Sequence, residues 1–333
     1  MSVRLLTIQV VALALTLPMA ALADRNCKNV RLFHTVDHEQ AWQDVSYLAS
    51  EELEGRRAGK RGAKLAREYI AARFDASNLE SLEDKNTGSH LPDGIKRTEL
   101  SKYYLPFELK GLFSSKWGFN VAGLIQGTRV PEKYIVITAH YDHLGKKRGK
   151  IYPGADDNAS GVSALLAIAA HFAVNKPSHS MILLATDYEE SGLYGAKAFV
   201  ENPPVPLSSI LLNINLDMIG NPGRKHVLYL GGTRRNPQLR DFAHKVLSQS
   251  GQCVEFGHDG KTKSRDRKYT IDWYSASDHY AFAKQGVPYM FLGVDDHKHY
   301  HQPTDNIDNL NRIFLLSSIE TSIILARLAD ASL

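Results

Sequence analysis

Cysteine is scarce in this sequence. Its 333 residues contain only Cys27 and Cys253. The two lie far apart and neither belongs to a Cys-x-x-Cys pair, which argues against thiolate zinc sites and dithiol redox motifs. In an exported protein they can form one disulfide or stay unpaired, and the sequence leaves both interpretations open.

The sequence also lacks an excess of charge of one sign. It has 40 basic and 36 acidic residues, a formal net charge of +4. Proteins that bind nucleic acid usually carry a dense basic face, so we expect no nucleic-acid partner. A hydrophobic content of 43% is ordinary for a soluble globular protein. The length suits one large domain or two small ones.

Long apolar runs are missing beyond the N-terminus. There, Arg4 precedes a mostly apolar stretch at 5–17, and Ala21-Leu22-Ala23 follows as an A-x-A cleavage site. This pattern predicts a signal peptide at 1–23, a mature start at Asp24, and export to the periplasm or the medium. The apolar run is short for a membrane span, so we expect no stable anchor after cleavage.

From residue 133 onward, strand-like and helix-like segments alternate. The predicted strands are 134–139, 180–186, 210–216, 227–230 and 287–292, and the predicted helices are 162–172, 193–200, 237–249 and 312–329. Such alternation predicts a three-layer α/β/α sandwich with a central mixed, largely parallel sheet. In the last helix, the inward positions are expected to be Ile313, Leu316, Ile319, Ile323 and Ala326.

One acidic turn, Gly154-Ala155-Asp156-Asp157-Asn158-Ala159-Ser160-Gly161, lies between the first of these strands and the first of these helices. Sites form at this kind of strand-to-helix edge in open α/β sheets. The turn contains no Lys or Arg, so its acidic groups need positive charge from elsewhere. A metal ion is the simplest source.

Five candidate metal ligands lie at or just past predicted strand ends: His140, Asp156, Glu190, Asp217 and His301. Each alone has an ordinary explanation as a cap, turn or surface residue, but together they favour a metal centre. Histidines and carboxylates without cysteine suit zinc. Five ligands exceed the needs of one catalytic zinc and fit two ions if one carboxylate bridges. Asp142 falls on the same side of a continuing strand as His140 and could hold its ring.

From about Leu48 to the C-terminus, the chain resembles the M28 peptidases, which are co-catalytic zinc aminopeptidases. The resemblance is carried by several motifs in a characteristic order: Glu52-Leu53-Glu54-Gly55-Arg56-Arg57-Ala58-Gly59, His140-Tyr141-Asp142, the acidic turn, Glu189-Glu190-Ser191-Gly192-Leu193, Asn215-Leu216-Asp217-Met218-Ile219-Gly220, Ser277-Asp278-His279 and Tyr300-His301.

The resemblance implies two zinc ions per chain. One takes His140 and Asp217, the other takes Glu190 and His301, and Asp156 bridges them. It implies that Glu189 is the general base, and that the peptide bond after the bridging aspartate, Asp156–Asp157, is cis. It further implies a single peptidase domain over 24–333. The segment 75–119 is too short to contain a protease-associated domain.

These implications predict an exported exopeptidase that hydrolyses N-terminal residues from peptides. In such an enzyme the two metals polarise the scissile carbonyl and activate a bridging water. Two alternatives remain. A glutaminyl cyclase shares the fold but uses one zinc, which leaves His140 without a role. A non-catalytic binding homologue would lack a ligand or the base, and none is missing here. The charged stretch Asp295-Asp296-His297-Lys298 argues against a plain preference for bulky apolar residues.

Overall fold

The computed structural model describes residues 27–82, 100–111, 115–263 and 270–333. The predicted signal peptide lies outside the described residues. The helices are α1 (His38–Leu48), α2 (Arg61–Ala76), α3 (Gly161–Val174), α4 (Tyr194–Glu201), α5 (Arg240–Gln249), α6 (His279–Lys284) and α7 (Arg312–Ser332).

The strands are β1 (Glu80–Ser81), β2 (Tyr104–Lys110), β3 (Ser115–Ile125), β4 (Val130–His140), β5 (Gly145–Lys147), β6 (Lys150–Tyr152), β7 (His179–Thr186), β8 (Ile210–Leu216), β9 (Leu228–Gly231), β10 (Val254–Phe256), β11 (Lys261–Lys263), β12 (Thr270–Asp272) and β13 (Tyr289–Gly293). Nine of them form one sheet in the order β1-β3-β7-β4-β8-β13-β9-β10, with β2 beside β3. The four central strands β7, β4, β8 and β13 are parallel, whereas β3 and β9 run antiparallel to their inner neighbours. The predicted mixed sheet is therefore confirmed.

The sheet is covered on both faces, because alternate residues of its central strands enter different cores. In β4, Ile135 and Ile137 pack into the larger core with residues of α1, α2, α3, α5 and α7. The intervening Val136 packs into the smaller core with residues of α4 and α6, such as Phe199 and Phe282. This period of two is what a strand buried on both faces requires. The result is the predicted three-layer sandwich.

Helix α3 is the central helix of the larger core. With the turn before it, the stretch Ala155–Val174 has the length and hydropathy of a membrane span, and 78% of that window is buried inside the protein. It is the one such stretch among the residues that the structure describes. Burial of this extent is expected of a core helix that packs on α1, α7 and the sheet.

Helix α7 joins the two ends of the chain. The buried Glu320 carboxylate accepts hydrogen bonds from the backbone N–H groups of Phe33, at 2.8 Å, and Thr35, at 3.1 Å, and lies 3.0 Å from the His38 ring. Of the inward positions predicted for α7, four are buried. Ile313 is 54% exposed, so this predicted inward position is wrong; Phe314 and Leu315 are the buried residues of the first turn.

A second link fastens the N-terminal segment. Cys27 and Cys253 form a disulfide, with 5.2 Å between their Cα atoms. Cys253 directly precedes β10, the last strand of the sheet. The backbone N–H of Arg31 also donates to the Gly251 carbonyl. Of the two interpretations left open by the sequence, the structure has the paired one.

Candidate metal centre

The parallel strands deliver the candidate ligands to one edge of the sheet. His140 is the last residue of β4, Glu189 and Glu190 follow the end of β7, and Asp217 follows the end of β8. Because β4 pairs in parallel with both neighbours, these three ends lie side by side. The acidic turn follows β4 and precedes α3 at the same edge, as expected for an open α/β sheet.

A first cluster forms around His140, which is 1% exposed. Its Nδ1 lies 3.1 Å from the backbone carbonyl of Asp142 and donates to it, which leaves the Nε2 lone pair free. Nε2 lies 3.3 Å from Asp217 Oδ1 and 3.4 Å from Asp157 Oδ1. Glu189 also offers an oxygen to this cluster.

Asp142 does not hold the His140 ring through its carboxylate. Its Oδ1 lies 3.9 Å from Nδ1 and instead accepts the backbone N–H of Glu189 at 2.9 Å. The expectation named the right residue but the wrong atoms: its backbone carbonyl orients the ring, and its carboxylate positions the Glu189 backbone. The alternation rule does not apply here, because β4 ends at His140.

A second cluster forms around Asp157 Oδ2. His301 Nε2 lies 3.1 Å from this oxygen and 3.2 Å from Glu190 Oε2. His143 Nδ1 lies 3.6 Å from the same Asp157 oxygen and 2.7 Å from Glu190 Oε1. Asp157 thus directs one carboxylate oxygen to each cluster.

Asp156, the predicted bridging ligand, is not in either cluster. Its Oδ1 accepts the backbone N–H of Gly220 at 2.6 Å, and its Oδ2 lies 2.8 Å from His297 Nε2. Asp157 rather than Asp156 presents a carboxylate oxygen to each cluster, and the two adjacent side chains have different partners. The cis peptide bond is correspondingly Asp157–Asn158, one residue after the expected position.

The turn that presents Asp157 is held by buried groups beneath it. The Asp305 carboxylate accepts the backbone N–H of Asp156 at 3.0 Å and that of Asp157 at 3.1 Å. The fully buried Arg56 guanidinium donates to backbone carbonyls at Gly154, 2.8 Å away, and at Tyr141, 2.8 Å away. Arg56 therefore ties the end of β4 to the acidic turn.

The centre holds several buried carboxylates, and cations would offset their negative charge. Burial, with the charges of Glu190 and Asp217, raises the pKa of Glu189 well above its usual range despite the nearby His140. Burial and Asp157 also push the pKa of Glu190 upward, but His143 and His301 bring it down to about 2. Buried carboxylates facing imidazole nitrogens at 3.1–3.4 Å form a donor set typical of zinc. The residues therefore fit zinc in both clusters.

A cavity opens beside the two clusters. Glu189 lines it together with His140 of the first cluster and His301 of the second. Its outer wall combines apolar side chains with two further carboxylates: Ile271, Trp273, Phe291, Val294, Tyr300, Asp272 and Asp296. The cavity can therefore hold a side chain next to the candidate metal positions.

Sequence reasoning missed His143, His297 and Asp305. His143 directly follows the His140-Tyr141-Asp142 motif, and His297 and Asp305 flank His301. Their nearness to predicted ligands was an available signal. For His143 a second signal was available, because histidine is among the commonest metal ligands.

The fold is that of zinc exopeptidases. A Zn-dependent exopeptidase from Parabacteroides distasonis superposes with a TM-score of 0.65 at 16% identity, covering 88% of this chain and 98% of that one. Glutaminyl cyclase from Porphyromonas gingivalis superposes with a TM-score of 0.67 at 18% identity, covering 90% and 99%. At these identities the likeness concerns the fold.

Residues 120–323 match peptidase family M28, and the chain belongs to this family. Aminopeptidase YwaD from Bacillus subtilis is 25% identical over 208 residues, which cover 60% of this chain and 42% of that protein. The chain spans less than half of the length of the first curated relatives that it matches.

Proposed function

We propose that this protein is an exported aminopeptidase with two zinc ions per chain. The observation that carries the proposal is the shared Asp157 carboxylate, with Oδ1 in the His140 cluster and Oδ2 in the His301 cluster. Asp217 completes the first cluster and Glu190 the second. The ligand set is therefore His140, Asp157, Asp217, Glu190 and His301, with Asp157 in place of Asp156.

When bound, the zinc ions would polarise the scissile carbonyl and activate a water molecule as nucleophile. Glu189 is the base in this proposal. It lines the cavity, and the hydrogen bond from its backbone N–H to Asp142 fixes its position. A carboxylate in this position can accept a proton and pass it to the leaving amine. Buried Asp142 holds this backbone in place without touching the substrate.

The substrates are peptides, and the cavity beside Glu189 is the proposed site for the N-terminal residue. Ile271, Trp273 and Phe291 provide apolar contact, and Asp272 and Asp296 add negative charge to the wall. The experiment is to offer the purified protein a panel of aminoacyl reporter substrates and their N-acetylated counterparts. We expect release from the free-amine series only. Cleavage restricted to blocked or internal-bond substrates would refute the aminopeptidase assignment.

A glutaminyl cyclase is the second candidate, favoured by the structural likeness to the Porphyromonas gingivalis enzyme. In a one-zinc enzyme His140 has no ligand role, yet its free Nε2 faces two carboxylates here. Elemental analysis at saturation separates the two candidates, with two zinc ions expected. A single zinc ion and cyclisation of peptides that begin with glutamine would establish the cyclase instead.

Export is proposed on two grounds. The predicted signal peptide at 1–23 is one, and the Cys27–Cys253 disulfide is the other, because disulfides persist in oxidising compartments. N-terminal sequencing of the exported protein is expected to begin at Asp24. A protein that retains Met1 would contradict cleavage.

A further inference from the structure

We propose that His143 is a zinc ligand, so that the ion held by Asp157, Glu190 and His301 has a fourth protein ligand. The inference rests on the zinc centre of the proposed function, but it concerns a residue outside that ligand set. His143 is 1% exposed and directly follows Asp142.

The distances fit a common ion. Zinc binds nitrogen and oxygen at about 2.0–2.2 Å, which puts tetrahedral neighbours about 3.3–3.5 Å apart. His143 Nδ1 lies 3.6 Å from Asp157 Oδ2, and His301 Nε2 lies 3.1 Å from the same oxygen. Glu190 places Oε1 2.7 Å from His143 and Oε2 3.2 Å from His301. Three of these four distances lie near the tetrahedral range, and the 2.7 Å distance between His143 Nδ1 and Glu190 Oε1 is shorter and corresponds to a smaller angle at the ion. His143, Asp157 and Glu190 are close enough to one another to bind one ion.

A hydrogen bond between His143 and Glu190 does not account for these contacts. Among the described residues, both His143 ring nitrogens and Glu190 Oε1 are buried without a hydrogen-bond partner, although Nδ1 and Oε1 are only 2.7 Å apart. The atoms are close, but their directions do not suit a hydrogen bond. Buried polar atoms without partners are costly. A cation bound by both Nδ1 and Oε1 would give each atom a partner.

The backbone and a close packing contact fix the His143 ring in place. Its backbone N–H donates to the Arg56 carbonyl at 3.1 Å. Its ring lies against Gly154, where an added Cβ atom would come within 2.6 Å of the ring carbons. Gly154 has φ +61°. These contacts hold the ring in one orientation before any ion binds, as a preorganised metal ligand requires.

The two ions would then differ in coordination. The ion at His143 would have four protein ligands, whereas the ion at His140 would have three and would keep a position open to the cavity. We therefore expect a chelator to remove the His140 ion first and the His143 ion later.

X-ray absorption at the zinc edge on the zinc-saturated wild-type protein tests the proposal directly. Three imidazoles, from His140, His143 and His301, are expected over two ions. H143Q is expected to show two imidazoles and to weaken one zinc ion more than about 100-fold in chelator competition, beyond the 10–100-fold effect of a partner outside the ligand set. The control H299Q removes a histidine that bonds Thr304 and leaves both measurements unchanged.

Two imidazoles over two wild-type ions would overturn the role of His143 and leave the two-zinc proposal intact. If the protein binds one zinc, the two-zinc proposal fails and the imidazole count on that ion still decides the question. Two imidazoles there support His143 as a ligand, and one overturns it. Because the wild-type spectrum suffices, the test stands even if H143Q does not fold.

Discussion

At the scale of residues, neighbouring carboxylates in the centre have different tasks. Asp156 bonds Gly220 and His297, whereas Asp157 faces both clusters. Asp157→Asn should therefore lower zinc content at saturation. Asp156→Asn should keep both ions and lower the free energy of unfolding by about 1–3 kcal/mol, the usual effect of disturbing a buried hydrogen bond.

Elemental analysis and denaturant unfolding of the two variants make the comparison. The variants form a matched pair, because the substitution is identical and the positions are adjacent. Zinc loss in Asp156→Asn with full zinc content in Asp157→Asn would restore the original assignment of Asp156.

Glu189 and Glu190 form a second pair. Glu189→Gln should keep both zinc ions and lower kcat by roughly 10²–10⁴-fold, since a base contributes about this much to the rate. Glu190→Gln should instead weaken one ion, because Glu190 contacts His301. Steady-state kinetics with parallel metal analysis distinguishes the two. Near-normal turnover of Glu189→Gln, or equal metal loss in both variants, would contradict these roles.

Four of the predicted ligands, His140, Glu190, Asp217 and His301, lie close together in the structure, and the fifth position depends on a turn. His140, Glu190 and Asp217 meet because parallel strand ends share an edge, a property that the alternation of segments reveals, whereas His301 lies in the segment after β13. Nothing in the order Asp156-Asp157 tells which carboxylate faces inward, because the turn has neither the period of a strand nor that of a helix.

At the scale of elements, Arg56 joins three segments. It donates to the carbonyls of Leu48 at the end of α1, of Tyr141 after β4, and of Pro153 and Gly154 at the start of the acidic turn. Burial lowers its pKa to about 10, so it remains charged at neutral pH. Arg56→Met would leave these carbonyls without donors and should cost roughly 3 kcal/mol or more of unfolding free energy.

Arg57→Met is the control for this prediction. Arg57 is adjacent but exposed, so the same substitution should change the free energy by no more than about 0.5 kcal/mol. Both variants are measured by denaturant unfolding with chelator present, so that metal binding does not enter. Equal stability of the two variants would show that the Arg56 contacts contribute little.

The buried His279 on α6 gives a pH dependence. Its Nε2 lies 2.9 Å from the Trp273 carbonyl, and burial lowers its pKa to about 4. In the unfolded chain the value is about 6.5. The unfolded state therefore binds the proton more tightly, and the stability that His279 provides above pH 6.5 is lost as the pH falls toward 4.

Between pH 7 and pH 5, the wild type should lose about 2 kcal/mol more unfolding free energy than His279→Gln, which has no proton to gain. Denaturant unfolding at both pH values with chelator present measures this difference. An identical pH dependence in the two proteins would place the pKa of His279 near its ordinary value.

The sequence predicted the long elements and missed the short ones. Strands such as β4 and helices such as α7 extend over 11 and 21 residues, enough for a period to be visible. The missed strands β1, β5, β6, β10, β11 and β12 have two or three residues each. The missed helix α6 has six residues. Elements this short are determined by tertiary packing rather than by a local sequence pattern.

At the scale of the whole molecule, the Cys27–Cys253 disulfide closes a span of 226 residues. Loop-closure entropy gives about 5 kcal/mol for a loop of this length, and the typical stabilisation by a disulfide is roughly 2–4 kcal/mol. The double variant C27S/C253S should therefore unfold at lower denaturant concentration than the oxidised wild type. Its kcat should be unchanged, because Cys253 precedes the edge strand β10, whereas the ligands lie at β4, β7 and β8.

Reduction of the wild type provides the control for the disulfide prediction. A reducing agent should shift the wild-type midpoint toward that of the double variant and leave the variant unaffected. Equal midpoints for oxidised wild type and variant would mean that the bond adds no stability.

The Glu320 contacts also constrain the order of events during synthesis. Residues 33–38 leave the ribosome almost three hundred residues before their partner does, so they stay without it until the chain is nearly finished. Helices α1 and α3 also pack on α7, and α3 is made roughly midway between α1 and α7. A polypeptide that stops short of α7 would leave this apolar surface open to proteases and chaperones.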